Sequence, residues 1–422
     1  MANEEKTRVA FDCLGCKLNQ AEVEDLSRQF AGAGYRVVPA SAEAEVYILN
    51  TCAVTQLAES KARQLLRRAH RRNPAARIIA IGCGVEQSAE SLAGIEGVNV
   101  VVGNGEKADL LPLLTARGCL PENKAKASGQ SGSAGRRARS FLKVQDGCRC
   151  FCTYCVVPRL RPVESSVPAE RVVAEVRERV AEGYREVVLT GTRIGVYRDG
   201  ETDLAGLVRR ILGETEIARL RLSSLQPPEI SKDLVSLWEN DRLCPHFHLA
   251  LQSGSDGVLR RMGRRYHAGE FRQALDMVRE HIPGVAVTTD VIVGFPGETE
   301  AEFAESYRFC REAGFARIHV FPYSARPGTA AARLPGAVSP AAKKRREEAM
   351  LSLAEECRRD FRQKFTGKVM PVLWEQARGE IWSGHTGNYL KVYTRSGEDL
   401  AGKLLPVRLG AVRDDGLWGE PA

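Results

Sequence analysis

Three cysteines, Cys148, Cys152 and Cys155, stand in the spacing C-x-x-x-C-x-x-C within Gln145-Asp146-Gly147-Cys148-Arg149-Cys150-Phe151-Cys152-Thr153-Tyr154-Cys155. They follow the apolar run 141–144, which reads as a strand. Three thiolates delivered by one short loop suit an iron–sulfur cluster, whose irons take cysteine sulfur. On a four-iron cluster they leave one iron open to a non-protein ligand. Zinc would want a fourth ligand in the usual arrangement of two C-x-x-C pairs, and the triad supplies only one such pair. Disulfides would want an oxidising compartment, and the polar stretch 1–8 does not read as a secretory signal. Cys150 lies outside the triad and reads as a spare thiol.

The elements that must position such a loop are legible in the hydrophobic pattern. Residues 7–120 alternate strands, at 8–11, 45–50, 77–81 and 98–102, with helices at 21–33, 57–72 and 86–93. That alternation predicts an α/β, doubly wound parallel sheet. Three of the strands run out into Cys16, Cys52 and Cys83, and ligands of open α/β sheets sit at the strand carboxyl ends. Singly each cysteine reads equally well as a buried core thiol; as a set they predict a second cluster. Cys13 reads as structural. The helix at 57–72 bears Lys61, Arg63, Arg67, Arg68, Arg71 and Arg72, either a solvated face or a phosphate-contacting one.

Residues 121–140 shift to Gly, Ser, Ala, Lys and Arg, the composition of a basic linker. Residues 141–365 repeat a strand–helix unit, with strands at 141–144, 186–190, 219–223, 246–251, 285–293 and 317–321. Helices fit at 169–182, 203–212, 232–239, 269–281 and 300–313. Six such units predict a partial parallel (β/α)6 barrel with its site at the strand carboxyl ends, where the cysteine loop also falls. Thr190, Gly191, Ser223, Ser224, Gln252, Ser253, Gly254 and Gly294 occupy those ends. A helix over 340–364 bears Lys343, Lys344, Arg345, Arg346, Arg358, Arg359 and Arg362, interleaved with acids that also suit a solvated face.

Residues 366–422 carry β-like runs at 369–374, 380–383, 389–394 and 403–409, which predict a small antiparallel barrel. Such barrels bind looped nucleic acid through aromatics and positive charge. Trp382, His385, Tyr389, Lys391 and Tyr393 suit that role, and barrel-core packing explains the aromatics equally well.

Composition agrees. A chain of 422 residues exceeds one ordinary core. Hydrophobic residues at 43% and charged ones at 27% are those of a soluble globular protein, and no apolar run is long enough to span a bilayer. A net charge of +8 allows an anionic partner. Twelve cysteines without a signal peptide point to a reducing, cytoplasmic setting and to metal or redox work.

The cysteine loop resembles the signature of radical S-adenosylmethionine enzymes, in which the open iron binds that cofactor. Almost the whole chain resembles the methylthiotransferases of that group. The likeness is carried by Leu14-Gly15-Cys16-Lys17-Leu18-Asn19-Gln20, Asn50-Thr51-Cys52-Ala53-Val54-Thr55 and Gly82-Cys83-Gly84-Val85-Glu86-Gln87. It continues in Leu251-Gln252-Ser253-Gly254-Ser255 and Asp290-Val291-Ile292-Val293-Gly294-Phe295-Pro296-Gly297-Glu298-Thr299. Gly384-His385-Thr386-Gly387-Asn388-Tyr389 looks like a TRAM-domain signature. The resemblance implies that Cys16, Cys52 and Cys83 hold an auxiliary 4Fe-4S cluster and Cys148, Cys152 and Cys155 the radical-generating one. It also implies S-adenosyl-L-methionine in the barrel mouth near Tyr154, Thr190, Gly191, Ser224, Gln252 and Gly294. Tyr154 would flank an adenine or simply pack there.

The first two motifs look most like the bacterial branch that acts on threonylcarbamoyladenosine beside the tRNA anticodon. The implied partners are a tRNA anticodon stem-loop and a reductant protein, with no membrane. Sister branches act on isopentenyladenosine in tRNA or on a ribosomal-protein aspartate. From another class, an iron–sulfur protein that only carries electrons or binds RNA would need no cofactor-sized barrel. Pro158-Arg159-Leu160-Arg161-Pro162 and Thr192-Arg193-Ile194-Gly195 depart from the family's commoner pattern and bear on substrate choice alone. Because the six-strand core ends before residue 366, the tail is expected to be removable without loss of cofactor cleavage.

Overall fold

Short Val- and Ile-rich runs build the first sheet in the computed structural model, which describes residues 6–120, 138–413 and 415–422. Its strands are β1 (Arg8–Cys13), β2 (Arg36–Val38), β3 (Val46–Thr51), β4 (Arg77–Gly82) and β5 (Val98–Val102). All pair in parallel, in the order β2-β1-β3-β4-β5. The helices are α1 (Lys17–Gly32), α2 (Gln56–Arg72), α3 (Cys83–Ala93) and α4 (Leu110–Ala116). Two apolar layers cover the two faces. Ala62, Leu66 and Ala69 of α2 and Val85 and Leu92 of α3 line one; Leu26 and Phe30 of α1 and Leu110 and Leu114 of α4 line the other. The sheet is therefore doubly wound, and β3, buried at all six positions, is its centre. The chain reverses direction between β1 and β3, the switch point where such sheets hold ligands.

The chain divides into two units. The first takes in the sheet just described together with residues 147–149 and 155–164, including the short α5 (Val157–Leu160). The expected basic linker lies outside the described residues except for its last three.

The second unit opens with β6 (Arg139–Asp146), edged by the antiparallel β7 (Ser165–Ser166). Then come α6 (Ala169–Ala181), β8 (Glu186–Gly191), the small ribbon β9 (Arg198–Asp199) and β10 (Thr202–Asp203), α7 (Leu204–Glu214) and β11 (Arg219–Leu222). They are followed by β12 (Ser224–Leu225), α8 (Lys232–Ser236), β13 (His246–Leu249), α9 (Asp256–Arg261), α10 (Ala268–His281), β14 (Ala286–Val293), α11 (Glu300–Ala313) and β15 (Arg317–Pro322). The parallel strands form two arcs, β11-β8-β6 and β12-β13-β14-β15. An isolated bridge between Leu220 and Leu243 joins them beside β11. The expected six-unit barrel is present, split at that seam.

Strand alternation decides which residues look inward. Val287, Val291 and Val293 of β14 join Phe247 and Leu249 of β13 in the core beneath the helices. Thr288 and Asp290 therefore face the opposite side, with His246 and His248. On β8, β11 and β6 the same argument turns Glu186, Arg219, Arg221 and Arg139 inward, since Val187, Leu189, Leu220, Leu222, Leu142 and Val144 lie in the outer core.

The helix α12 (Pro340–Gln363) leads to five strands, β16 (Val369–Arg378), β17 (Ile381–Thr386), β18 (Lys391–Arg395), β19 (Leu404–Arg413) and β20 (Gly416–Pro421), closed into a barrel. The last strand was not foreseen, and it closes the barrel by pairing in parallel with β18. This barrel is not a loose appendage. Phe361 and Phe365 at the end of α12, with Ala286 and Ala316, share one apolar cluster with Val372, Trp374 and Leu390 of the tail. Its turn 386–389 also closes the floor of the parallel barrel. There Arg221 lies over the Tyr389 ring at 3.8 Å and donates to the Gly387 carbonyl at 2.8 Å. Arg139 donates to the Tyr389 hydroxyl at 2.8 Å and pairs with Glu375. Tyr389 adopts φ 65°, a left-handed conformation that side chains other than glycine tolerate poorly. Removing the tail would therefore strip partners from the floor's buried cations, which bears on the expectation that cofactor cleavage survives its loss.

Candidate cluster and cofactor site

In the first unit the three sheet-edge cysteines gather at the switch point. Cys16 is the N-cap of α1, Cys52 follows β3 directly, and Cys83 opens α3 directly after β4. Cys16 is thus on a helix start, because α1 begins four residues before the expected 21. Gly15, at φ 100°, shows how close the chains run: a Cβ there would lie 2.8 Å from the Cys52 Cβ and Sγ. Asn19 stitches the edge together, donating to the carbonyls of Leu14 at 2.8 Å and Thr51 at 3.1 Å. Cys13 ends β1. No disulfide forms among the described residues. Three reduced thiols converging from three chain segments, with glycine where a side chain would intrude, fit a cluster held by thiolates.

Around this edge lies a buried charge network that the sequence did not announce. The Arg161 guanidinium donates to both Glu22 oxygens, at 2.9 and 3.1 Å, and its Nε to Cys83 Sγ at 3.4 Å. Lys107 Nζ donates to Glu22 at 2.5 Å and to Asn104 Oδ1 at 2.9 Å. Burial pushes the Lys107 ammonium below its ordinary pKa against the pull of Glu22, and Arg161 adds to the lowering. Asn104 Nδ2 in turn approaches Cys83 Sγ at 3.5 Å. An acidic residue on the inner face of a helix gives no sequence signal for such partners, which lie 85 and 139 residues onward in the chain.

The loop after β6 is divided between the two units. In the first, Gly147 takes φ 76°, and a Cβ there would sit 2.0 Å from the Val163 carbonyl oxygen. The Cys148 N–H donates to the Arg161 carbonyl at 3.4 Å. Cys155 precedes α5. In the second, Phe151 adopts φ 48° and is exposed, while Thr153 N–H donates to the Met262 carbonyl at 2.9 Å. Arg264 Nη1 donates to Cys152 Sγ at 3.4 Å. Burial works against that guanidinium's charge, but Tyr154, Tyr266 and Cys152 more than offset it. Cys150 is not an idle thiol: Arg193 Nη1 donates to it at 2.9 Å while Arg193 Nε pairs with Glu229. Arg264 and Arg193 were missed as thiol partners, since each lies far along the chain from its cysteine.

The strand-end residues are unequal. Gln252 adopts φ 66° and bonds on both sides to β14, its N–H to the Asp290 carbonyl and its carbonyl from Ile292, each at 2.8 Å. Gly294 ends β14 at φ 71°, its N–H on the Glu298 carboxylate at 2.7 Å. Tyr154 packs edge-on against Phe295, centroids 6.5 Å apart. Thr190 is buried, Gly191 is pressed against the Gln145 carbonyl, and Ser224 is exposed. Deeper on the inner face, and unforeseen, stand His248, Asp290 and His319, on three neighbouring strands with their ligand atoms within 4.8 Å of one another. His248 Nε2 is 3.2 Å from the Asp290 carboxylate.

The basic residues expected to meet RNA divide sharply. On α2, Lys61, Arg67, Arg68 and Arg71 are exposed, and Arg72 is spent on the carbonyl of Ala40 at 2.6 Å. On α12, Lys344, Arg345 and Arg359 are exposed. Arg346 is buried against Glu298 at 2.8 Å, Arg362 bonds the Asp415 carbonyl, and Lys343 donates to the Tyr323 carbonyl at 3.0 Å. In the tail, Trp382 is core, His385 and Tyr389 face the barrel floor, and Lys391 and Tyr393 both hold Asp415. Packing, not RNA, is the visible role of those aromatics. Trp418, partly exposed beneath Arg413 at 5.2 Å, went unnoticed.

Among the described residues no helix is long and apolar enough to cross a membrane. Two family models match the chain, the Radical SAM superfamily over residues 142–310 and the Uncharacterized protein family UPF0004 over residues 8–103. The threonylcarbamoyladenosine tRNA methylthiotransferase MtaB of Chlamydia pneumoniae is 38% identical, covering 97% of this chain and 96% of its own. The tRNA-2-methylthio-N(6)-dimethylallyladenosine synthase of Syntrophotalea carbinolica is 33% identical, covering 97% and 98%. In fold, the radical S-adenosylmethionine methyltransferase TsrM from Kitasatospora setae, solved with cobalamin and a [4Fe-4S] cluster bound, matches with a TM-score of 0.56. That match is 14% identical over 78% of this chain and 77% of that one. Full-length identity of this order, with both cysteine sets in place, means that the chain belongs to the radical S-adenosylmethionine methylthiotransferase family.

Proposed function

We propose that this enzyme adds a methylthio group at carbon-2 of threonylcarbamoyladenosine next to the anticodon of tRNA. The observation that carries the reading is the gathering of Cys16, Cys52 and Cys83 at one sheet edge, in a chain that also carries Cys148, Cys152 and Cys155. One cysteine set suffices to cleave the cofactor; a second is called for when sulfur must be supplied. When bound, two 4Fe-4S clusters and S-adenosylmethionine supply the radical, the sulfur and the methyl group. We assign the auxiliary cluster to Cys16, Cys52 and Cys83, and the radical cluster to Cys148, Cys152 and Cys155. The working modules are then residues 7–120, 141–365 and 366–422.

The chain's own residues position and shield. Arg264 donates to the Cys152 sulfur at 3.4 Å and holds that side chain in place. Gln252 and Gly294 shape the mouth on β13 and β14, with Tyr154 and Phe295 as its apolar wall. Thr190, Gly191 and Ser224 complete the cofactor's surroundings. The target base must leave the anticodon-loop stack, which is easier in a loop than in a duplex. Lys61, Arg67, Arg68 and Arg71 of α2, Lys344, Arg345 and Arg359 of α12, and Arg413 with Trp418 on the tail offer the phosphate contacts. A reductant protein supplies electrons, and the work is done in the cytoplasm.

The test is mass spectrometry of tRNA nucleosides with and without the gene. Loss of methylthiolated threonylcarbamoyladenosine is expected; an unchanged nucleoside with loss of its dimethylallyl counterpart would give the sister reading, which the Syntrophotalea carbinolica relative favours. In vitro, Cys52→Ala should retain cofactor cleavage without sulfur transfer, and Cys152→Ala should lose cleavage. Normal methylthiolation by Cys52→Ala would sink the cluster assignment.

A further inference from the structure

Arg161 stands six residues after Cys155 and is 5% exposed. Its side chain touches Cys83 and Glu22, while its carbonyl takes the Cys148 N–H. One residue therefore contacts a ligand from each of the two cysteine sets, and all of these groups lie in the first unit. Asn104 adds a second tie, from Cys83 Sγ to the Leu160 carbonyl at 3.0 Å. Two cations, Arg161 and Lys107, meet the Glu22 carboxylate in a buried place, and the thiolates of a cluster held there would set further negative charge beside them.

We propose that Arg161 is a positioning residue that couples the two cluster sites. Its carbonyl fixes the Cys148 backbone against the sheet-edge cysteines, and its guanidinium makes the cluster held there easier to reduce. The physical reason is general: a hydrogen bond and a positive charge on a thiolate ligand favour the state of the cluster with the extra electron. Arg161 stood out in the sequence only as part of a run that departs from the family pattern, and no spacing rule pairs it with Cys83.

This inference rests on the assignment of Cys83 as an auxiliary ligand, and the experiment separates the two. Full-length enzyme is reconstituted anaerobically in a Cys152→Ala background, so that the auxiliary cluster is read alone. Iron content and a redox titration followed by electron paramagnetic resonance are compared for Arg161, Arg161→Lys and Arg161→Gln. A Glu22→Gln/Arg161→Gln double variant, which removes one charge of each sign together, guards against misfolding from an unpaired carboxylate. The expected result is one cluster in every protein, a midpoint moved to more negative potential in both Gln variants, and a smaller move with Lys. A full iron complement with an unmoved midpoint in Arg161→Gln would overturn the proposal. So would loss of the cluster from folded Arg161→Lys, which would make the arginine a structural strut. Absence of any cluster in the Cys152→Ala parent would instead overturn the ligand assignment, and the proposal with it.

Discussion

Two buried charge networks in this molecule look alike in composition and differ in what they face. In the first unit Glu22 holds Arg161 and Lys107 at the sheet edge beside Cys83. In the second, Glu186 sits fully buried among Arg221, Arg139 and Arg219, under the tail's turn. In the Glu186 network Arg221 is bidentate on the carboxylate at 2.8 and 3.2 Å, and further donors meet the Tyr389 hydroxyl, the Gly387 carbonyl and the His385 carbonyl, while the buried Arg139 Nε has no hydrogen-bond partner among the described residues. The Glu22 network ends on a sulfur that can bind metal. Buried charge alone therefore says little about function; the chemistry at the end of the network decides whether it props up a fold or serves a site.

The largest effect that would test this contrast is at the floor. Glu186→Gln should leave Arg221 and Arg219 without their carboxylate, Arg139 keeping Glu375, and destabilise the second unit by about 3–5 kcal/mol. Thermal unfolding should show a correspondingly lower midpoint. A fully stable variant would mean the floor is held by the tail alone.

Removing residues 366–422 should likewise yield an unstable or insoluble core, measured by circular dichroism and soluble yield. Within the tail, Tyr389→Ala should cost about 2 kcal/mol, combining a lost cation–π contact with a lost hydroxyl partner for Arg139. Tyr389→Phe keeps the ring and should cost about 1 kcal/mol.

Acid sharpens the comparison further. Burial works against ionised Glu186, but Arg221, Arg139 and Arg219 prevail and hold its pKa down at about 2. A carboxylate depressed on folding stabilises above its unfolded value, and that stability is lost as pH falls through the folded one. Wild type should therefore lose about 3 kcal/mol between roughly pH 5 and pH 2 on account of this group, a slope that Glu186→Gln lacks. Equal slopes in denaturant titrations would refute it.

The smallest effects belong to the surface. Replacing Lys344 and Arg359 by Ala should weaken tRNA binding a few-fold and lower the salt slope by about 1–2, with folding intact. Replacing Lys343 and Arg346 should instead destabilise the core, because both are already engaged within the protein. Equal loss of RNA affinity without loss of stability in the second pair would reverse the division drawn here.

What the sequence determined by itself was local and periodic. Strand–helix alternation marked the doubly wound sheet and the six-unit barrel, since burying one face writes a period into the chain. The two cysteine sets were legible because ligand type and strand-end position are both sequence properties. Tertiary structure alone decided what long-range partners share. It put Arg161 on Cys83, Arg264 on Cys152 and the turn 386–389 under Arg221, and it turned Arg346 and Trp382 from imagined RNA contacts into core. The fifth tail strand became visible only in its pairing with β18, which lets the barrel close. The reason is physical: a charged or aromatic side chain carries no local mark of which distant segment will cover it, and coverage, through desolvation, decides whether it serves the surface or the core.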